Sequence, residues 1–384
     1  MVLPTAIALS KNALSLVIRP VGDTCNLRCS YCYLGAAVDT PLSLMSESCL
    51  GQLTREASEI ANRIEFLWHG GEPLLAGISF FKSAIRWQRT TSAHFQNFIQ
   101  TNGTLIDREW ADFFAENNFK VRLSLDGPQV VHDRFRTYKS ARKSHSDVIK
   151  AVDTLRASQV EPLVSCVITE DSVPVIDEIY RSLRDLGISQ ISCLPAFVQI
   201  AGKVAPPTLS PDGYVRAYGR LFDIWSDDTE RISIRELEGI VSSMLGRPAG
   251  DCTFTGVCSQ VARVEPDGRI YPCELHKGEL GECYGRIGEQ HLSQIMTKRH
   301  SSKVGTLCKT LVQDECRACQ WYKLCHGGCY AAYVARSDGN KFYYYCEARK
   351  QLFAHIQEKL SELPLLNPRT RHVANMGAPS ASSV

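Results

Sequence analysis

Between residues 14 and 200, six short β-rich runs alternate with longer helical ones, and no other feature of the chain restricts its fold as much. The runs LSLVIRP (14–20), IEFLWHGG (64–71), FQNFIQTNG (95–103), FKVRLSLDG (119–127), EPLVSCVIT (161–169) and ISQISCLPAF (188–197) are apolar or alternating and are bounded by Gly, Asn, Asp or Pro. The stretches 46–62, 79–92, 107–118, 146–158 and 173–187 read as helices, with Ser46 and Asp107 as N-caps and Gly187 closing the last. Strands separated by helices predict parallel pairing through right-handed crossovers. Six units instead of the eight of a closed barrel predict an α/β fold, a partial (β/α)6 TIM-like barrel with its working residues at the C-terminal strand ends.

Residues 14–200 are therefore expected to form the barrel. The Pro- and Gly-rich stretch 201–215 reads as a linker, followed by bridging helices around 214–228 and 234–245, so that 201–250 connects the barrel to a cysteine-rich region at 251–350. The small, polar tail 364–384 is expected to be disordered. No internal repeat is present.

With 43 basic and 41 acidic residues the net charge is +2, so no global field points to nucleic acid or an anionic membrane. The sequence has no apolar run long enough to span a bilayer and no secretory signal, which predicts a cytoplasmic protein. In a reducing compartment, sixteen cysteines are expected to be metal ligands or redox groups, not structural disulfides. Eleven of them fall into three groups: Cys25, Cys29 and Cys32; Cys252, Cys258 and Cys273; and Cys316, Cys319, Cys325, Cys329 and Cys346. Cys49, Cys166, Cys193, Cys283 and Cys308 have no motif spacing and read as packing.

The first group, CNLRCSYC, follows the first strand, where a barrel displays its site. A structural zinc site wants four closed ligands, and this loop supplies three. Three thiolates can instead hold three corners of a [4Fe–4S] cluster and leave one iron open to a small molecule. The spacing C-x3-C-x2-C with Tyr31 before the third cysteine resembles the radical S-adenosylmethionine (SAM) superfamily. In that family the open iron binds the amino and carboxylate groups of SAM, and an electron from the cluster cleaves it to a 5′-deoxyadenosyl radical. The resemblance places Tyr31 along the adenine, and HGGEP (69–73) at the SAM amino group through Gly70, Gly71 and Glu72. It extends to TNG (101–103), SLDGP (124–128) and HDRFR (132–136), where Ser124 and Arg136 would bind polar groups of SAM with Asn102 and Asp126 close by.

The eight remaining grouped cysteines are the number needed for two fully ligated four-iron clusters. Their pattern resembles the SPASM extension of radical SAM enzymes that modify peptides and proteins. That resemblance implies an interleaved ligand set: Cys252, Cys258, Cys273 and Cys329 for auxiliary cluster I, and Cys316, Cys319, Cys325 and Cys346 for auxiliary cluster II. With SAM, this makes three [4Fe–4S] clusters. The auxiliary clusters would offer an exit for the second electron of a two-electron oxidation. A base is useful for the accompanying proton, and Glu274, directly after Cys273, is the first candidate, ahead of His69 and His276.

Two groups of such enzymes are nearest, and both begin by abstracting a β-hydrogen. The anaerobic sulfatase-maturating enzymes oxidise Cys or Ser to formylglycine and typically carry Gln before GGEP and Asp after the third SPASM cysteine. Peptide maturases include enzymes that join an aromatic carbon to the β-carbon of a nearby residue, giving a three-residue cyclophane. His69 and Glu274 stand at the two diagnostic positions, which favours a maturase of a ribosomally made precursor peptide. Only about a dozen residues precede the first strand, so the peptide is expected to bind the barrel and SPASM surfaces directly. The expected partners are that peptide and an electron donor such as flavodoxin or ferredoxin, with no nucleic acid and no membrane. A non-enzymatic iron–sulfur or zinc scaffold is the reading from a different class; it explains the C-terminal cysteines but not the open three-cysteine loop.

Overall fold

In a computed structural model, the protein is described for residues 13–35, 39–200, 202–255, 258, 261–275, 281–298, 302, 304, 314–335 and 341–362. Its centre is a parallel sheet of β1 (Ala13–Ile18), β2 (Arg63–Trp68), β3 (His94–Thr101), β4 (Lys120–Ser124), β5 (Leu163–Ile168) and β6 (Gln190–Pro195), adjacent in sequence order. The register sets Ile18 beside Trp68 and Ser124 beside Ser165, so the C-terminal strand ends, and the loops that follow them, share one rim.

The connecting helices are α1 (Glu47–Ile60), α2 (Ile78–Arg89), α3 (Arg108–Glu116), α4 (Gln129–Phe135), α5 (His145–Ala157) and α6 (Ile176–Asp185). Local chemistry starts and stops them. Ser46 Oγ accepts the Cys49 N–H at 3.2 Å, and an Asp107 carboxylate oxygen accepts the Trp110 N–H at 3.0 Å. Past α6, Gly187 adopts φ 73°, a conformation costly for a residue with a Cβ. The helix-facing side of the sheet is apolar and rich in edge-to-face aromatic pairs, among them Trp68–Phe81 and Phe81–Trp110. The alternate residues are mixed: Val17, Leu67, Phe98 and Val261 form a small apolar cluster, and polar residues bond across strands, with Ser15 donating to Glu65 at 2.9 Å, Gln100 to Ser124 at 3.0 Å, and Ser165 to Gln100 at 3.1 Å. One face of the sheet is thus committed to packing, and the other combines a small apolar cluster with polar side chains.

Within 202–215, read from the sequence as a linker, the chain forms regular elements. This stretch contributes to the hairpin of β7 (Val198–Ile200) and β8 (Lys203–Ala205), and α7 (Pro211–Asp227) begins inside it. Ser210 caps that helix by accepting the Gly213 N–H at 2.9 Å, and Pro211 occupies the first helical turn, where its missing N–H costs nothing. Part of the Pro- and Gly-rich stretch read as a linker is thus a helix start.

Later residues then complete the central sheet at both edges. β9 (Ser233–Ile234) pairs parallel to β6 and leads into α8 (Arg235–Met244), while β10 (Val261–Val264) pairs parallel to β1. β11 (Arg269–Tyr271) and β12 (Gly285–Arg286) continue beyond β10 in antiparallel fashion. Among the described residues, barrel and cysteine-rich region thus share one sheet of ten strands that runs through the boundaries expected at 200 and 250, and the edges that β1 and β6 would otherwise expose are paired. The C-terminal helix Cys346–Glu362 packs on α7, with Tyr345 against Tyr214 at 4.8 Å between ring centroids. The tail 364–384, Cys308 and His276 lie outside the described residues. Among the described residues, no helix is long and apolar enough to cross a membrane.

Candidate functional site

The loop after β1 carries the first three cysteines, and two neighbours hold it. On one side, backbone N–H groups of His69, Gly71 and Glu72 donate to the carbonyls of Ile18, Gly22 and Thr24, each at 2.9 Å, extending strand-like pairing past the ends of β1 and β2. This approach requires glycine: a Cβ on Gly71 would lie 1.9 Å from the Thr24 carbonyl oxygen. Because that obstacle is backbone, Gly71→Ala is expected to destabilise the protein by about 3 kcal/mol, the upper end of ordinary overpacking. Thermal unfolding checks this, and a variant as stable as the parent would mean that the loop yields freely. On the other side, Arg28 and Ser30 donate to the carbonyls of Thr137 and Phe135 at 2.8 and 3.0 Å.

Inside this clamp, Cys25 Sγ accepts hydrogen bonds from the Leu27 N–H at 3.4 Å and the Asn102 amide at 3.8 Å. Burial, and then the nearby Glu72 carboxylate, push the Cys25 thiol up to about 12, with Cys29 and Cys32 adding to the effect. Burial likewise raises Cys29 to about 11, with Arg136 opposing and Cys32 adding. The three thiols therefore sense one another, and their ionisation calls for a cation between them.

Glu72 is fully buried at the end of β2, and its carboxylate accepts from Thr101 Oγ1 at 2.7 Å and from the N–H groups of Asn102 and Leu74 at 2.8 and 3.1 Å. Burial pushes it up to about 7 despite these three donors. It ties the HGGEP turn to the end of β3, where Asn102 reaches the cysteine loop. Ser124, at the end of β4, bonds Gln100. Beyond it lies a buried knot: Asp126 accepts Arg136 Nε at 2.9 Å and Nη2 at 3.2 Å, the Val167 N–H at 2.9 Å and the Tyr31 hydroxyl. Burial would raise the Asp126 carboxyl, but the Arg136 charge and these hydrogen bonds hold it below the usual carboxylate range. The Arg136 guanidinium also covers the Tyr31 ring, 5.2 Å from its centroid.

His132 supports this knot. Its Nδ1 accepts the Asp126 N–H at 3.3 Å, so Nε2–H donates to Ser144 Oγ at 3.0 Å, and Ser144 donates to the Arg136 carbonyl at 2.8 Å. Burial lowers the imidazole to about 4 from an ordinary 6.5. Between these values the unfolded chain binds more protons than the folded one. The contribution is therefore fully present above pH 6.5 and is lost as the pH falls toward 4, amounting to about 3 kcal/mol. Cluster-free protein is expected to lose stability over this range more steeply than His132→Asn, as read from chemical unfolding at each pH. Parallel curves would remove His132 from the account.

In the C-terminal region, Cys252 is raised by burial, by Asp251, and by the thiols of Cys329 and Cys273. Cys258 and Cys273 both act on the Tyr284 phenol. Cys346 feels Cys325 and Cys316, while Cys346 and Cys319 both act on Lys350. Cys329 also acts, with Cys316, Cys325 and Cys346, on the Tyr333 phenol, so it lies between the two sets expected from the sequence. Among the described residues, no three His, Cys, Asp or Glu side chains converge tightly enough for a single metal ion.

Glu274 joins the two regions. It is buried, accepts the Tyr33 hydroxyl on Oε2 at 3.1 Å, and has Arg19 Nε 3.7 Å from the same oxygen. Oε1 has no hydrogen-bond partner among the described residues. Arg263 fixes the backbone here, donating to the carbonyls of Cys273 and Glu274 at 3.1 and 3.4 Å. Tyr33 follows Cys32 and Glu274 follows Cys273, so one hydrogen bond links residues adjacent to two different cysteine groups. His69 accepts the Gly70 N–H through Nδ1 at 2.6 Å, and desolvation pulls it down to about 3, which makes it a neutral imidazole. Sequence reasoning does not single out Arg19 or Tyr33, and it reaches His132 only as the first residue of HDRFR. A charge closing an apolar strand (Arg19) and an aromatic directly after the cysteine motif (Tyr33) are the available signals.

Residues 20–186 match the Radical SAM superfamily model. A cysteine-type anaerobic sulfatase-maturating enzyme of Clostridium perfringens is 31% identical over 366 residues, which span 90% of this chain and 97% of that protein. The structure of native anSMEcpe with bound AdoMet and Cp18Cys peptide superimposes with a TM-score of 0.81 at 29% identity, covering 95% of this chain and 99% of the other. Streptococcus suis SuiB bound to S-adenosylmethionine shares the fold at 18% identity, with a TM-score of 0.62, over 84% of this chain and 74% of that one.

Proposed function

Because this protein belongs to the radical SAM family that contains the anaerobic sulfatase-maturating enzymes, we propose that it oxidises a residue of a ribosomally made precursor peptide by two electrons. In this reading a β-hydrogen is removed and the oxidation closes as a carbon–carbon crosslink between two side groups of the peptide, a three-residue cyclophane. Cys25, Cys29 and Cys32 would hold the SAM-binding cluster. Cys252, Cys258, Cys273 and Cys329 would hold auxiliary cluster I, and Cys316, Cys319, Cys325 and Cys346 auxiliary cluster II. When bound, SAM and these clusters supply a hydrogen-atom acceptor and a store for the remaining electron.

The protein's own residues supply position and a proton acceptor. The observation that carries the reading is the buried Glu274 carboxylate, whose Oε2 is held by Tyr33 and Arg19 while Oε1 stays bare among the described residues. A carboxylate oxygen without a donor in a buried site is poised to accept the proton that leaves the substrate with the second electron. The Asp126–Arg136–Tyr31 knot, Glu72 and Asn102 would orient SAM over the cysteine loop. Gly70 and Gly71 allow the turn after β2 to lie against that loop.

Preference for the crosslink over formylglycine rests on His69 and Glu274, which stand where the sulfatase enzymes typically carry Gln and Asp. The second reading, oxidation of Cys or Ser in a sulfatase, is supported by the near full-length similarity to such enzymes. Anaerobically reconstituted, reduced protein and SAM would be incubated with a short peptide encoded beside the gene and with a Cys-containing sulfatase peptide. Loss of two hydrogens, with tandem fragmentation suppressed between an aromatic residue and a nearby one, is the expected result. Conversion of Cys to an aldehyde would assign the second reading, and absence of SAM cleavage would reject both.

A further inference from the structure

Arg349, in the first turn of the C-terminal helix, is a buried cation with no carboxylate partner among the described residues. It is 4% exposed, and among the described residues no Asp or Glu forms an ion pair with it. Its guanidinium lies between two rings, 4.3 Å from the Phe254 centroid and 4.8 Å from that of Tyr343. Nη1 donates to the Thr253 carbonyl at 3.0 Å and to Cys325 Sγ at 3.8 Å, while Nε has no partner among the described residues. Burial pushes the Cys329 thiol up, and the Arg349 charge opposes it.

Such a charge is costly to bury unless something negative faces it. Aromatic faces and one carbonyl offset part of that cost. The Tyr214 phenol also faces the guanidinium, and the other neighbours among the described residues are cysteines: Cys325 by direct hydrogen bond, Cys329 by charge, and Cys252 through the adjacent Thr253. A four-iron cluster on four thiolates is an anion, and one-electron reduction makes it more negative by one charge. A fixed cation at a ligand sulfur therefore stabilises the reduced form more than the oxidised one.

We infer that Arg349 is the counter-charge of the cluster held by Cys316, Cys319, Cys325 and Cys346 and raises its reduction potential, making that cluster the better electron acceptor. This rests on the assignment of those cysteines under the proposed function. Arg349 acts through Cys325 and is a positioning and tuning residue, not a catalytic one.

The test compares iron content and midpoint potentials, by electron paramagnetic resonance during dithionite titration, for the reconstituted parent, Arg349→Gln and Arg349→Lys. In Arg349→Gln one of three midpoints is expected to fall by at least a tenfold change in the oxidised-to-reduced ratio, 59 mV for one electron. Arg349→Lys, which keeps the charge, is expected to stay within threefold of the parent. Unmoved midpoints in fully loaded Arg349→Gln, or an equal fall in Arg349→Lys, would overturn the inference. Should Arg349→Gln fail to fold or load, Arg349→Lys decides: parental iron and potentials support the role of charge, whereas iron loss or a tenfold shift overturns it. A parent protein that binds a single four-iron cluster would instead refute the ligand assignment itself.

Discussion

Glu274→Gln is expected to lower product formation by roughly 10²–10⁴-fold while SAM is still cleaved to 5′-deoxyadenosine, the range ordinarily lost with a general base. The amide is nearly isosteric and can still accept the Tyr33 hydroxyl, so the link between the loops of Cys32 and Cys273 is retained. What it cannot do is take a proton. Removal of the β-hydrogen would proceed, and the second half of the oxidation would stall, so 5′-deoxyadenosine should accumulate in excess over product. Replacing Cys25, Cys29 and Cys32 together with Ala is the control in which cleavage itself is expected to vanish. Both products are quantified by liquid chromatography and mass spectrometry. An unchanged product yield in Glu274→Gln would remove it from the chemistry and leave it as a buried partner of Arg19.

The largest loss of stability is expected at Asp126→Ala, about 3–5 kcal/mol, the usual result of stripping one partner from a buried ion pair. Four donors converge on this carboxylate, from the two Arg136 nitrogens, Tyr31 and the Val167 N–H. Its removal leaves a guanidinium buried with no carboxylate beside it. The shift of the urea unfolding curve measures the effect in cluster-free protein. Combining it with Arg136→Met should restore part of the loss, because the stranded charge is then gone. A fall of less than about 1 kcal/mol would mean that water or another group compensates Arg136.

Much of this architecture is readable along the sequence because its signals are local. Alternating apolar runs and the polar caps Ser46 and Asp107 mark elements within a few residues of themselves, and the six strands form where those runs lie. The cysteine spacing is equally local, since a loop must present its ligands within its own reach. The hairpin at 198–205 and the start of α7 escape such a reading because Pro, Gly and Ser serve turns and helix starts alike.

Pairings between distant segments were decided only in the tertiary structure. Nothing in VARV says that it lies beside β1, with Val264 paired to Ile18, or that Ser233–Ile234 extends the other side of the sheet. Glu274 reads as a polar residue after a cysteine, yet it is buried because Arg19 and Tyr33, more than two hundred residues earlier, surround it. Arg349 reads as one charge among many on a helix and becomes a buried cation only when Phe254, Tyr343 and Cys325 close around it. Backbone preference and spacing act between neighbours in sequence, so sequence alone determined the six strands, most of their helices and the cysteine motifs. Burial and charge compensation act between neighbours in space, so only the folded protein decided which side groups lost water and what they faced when they did.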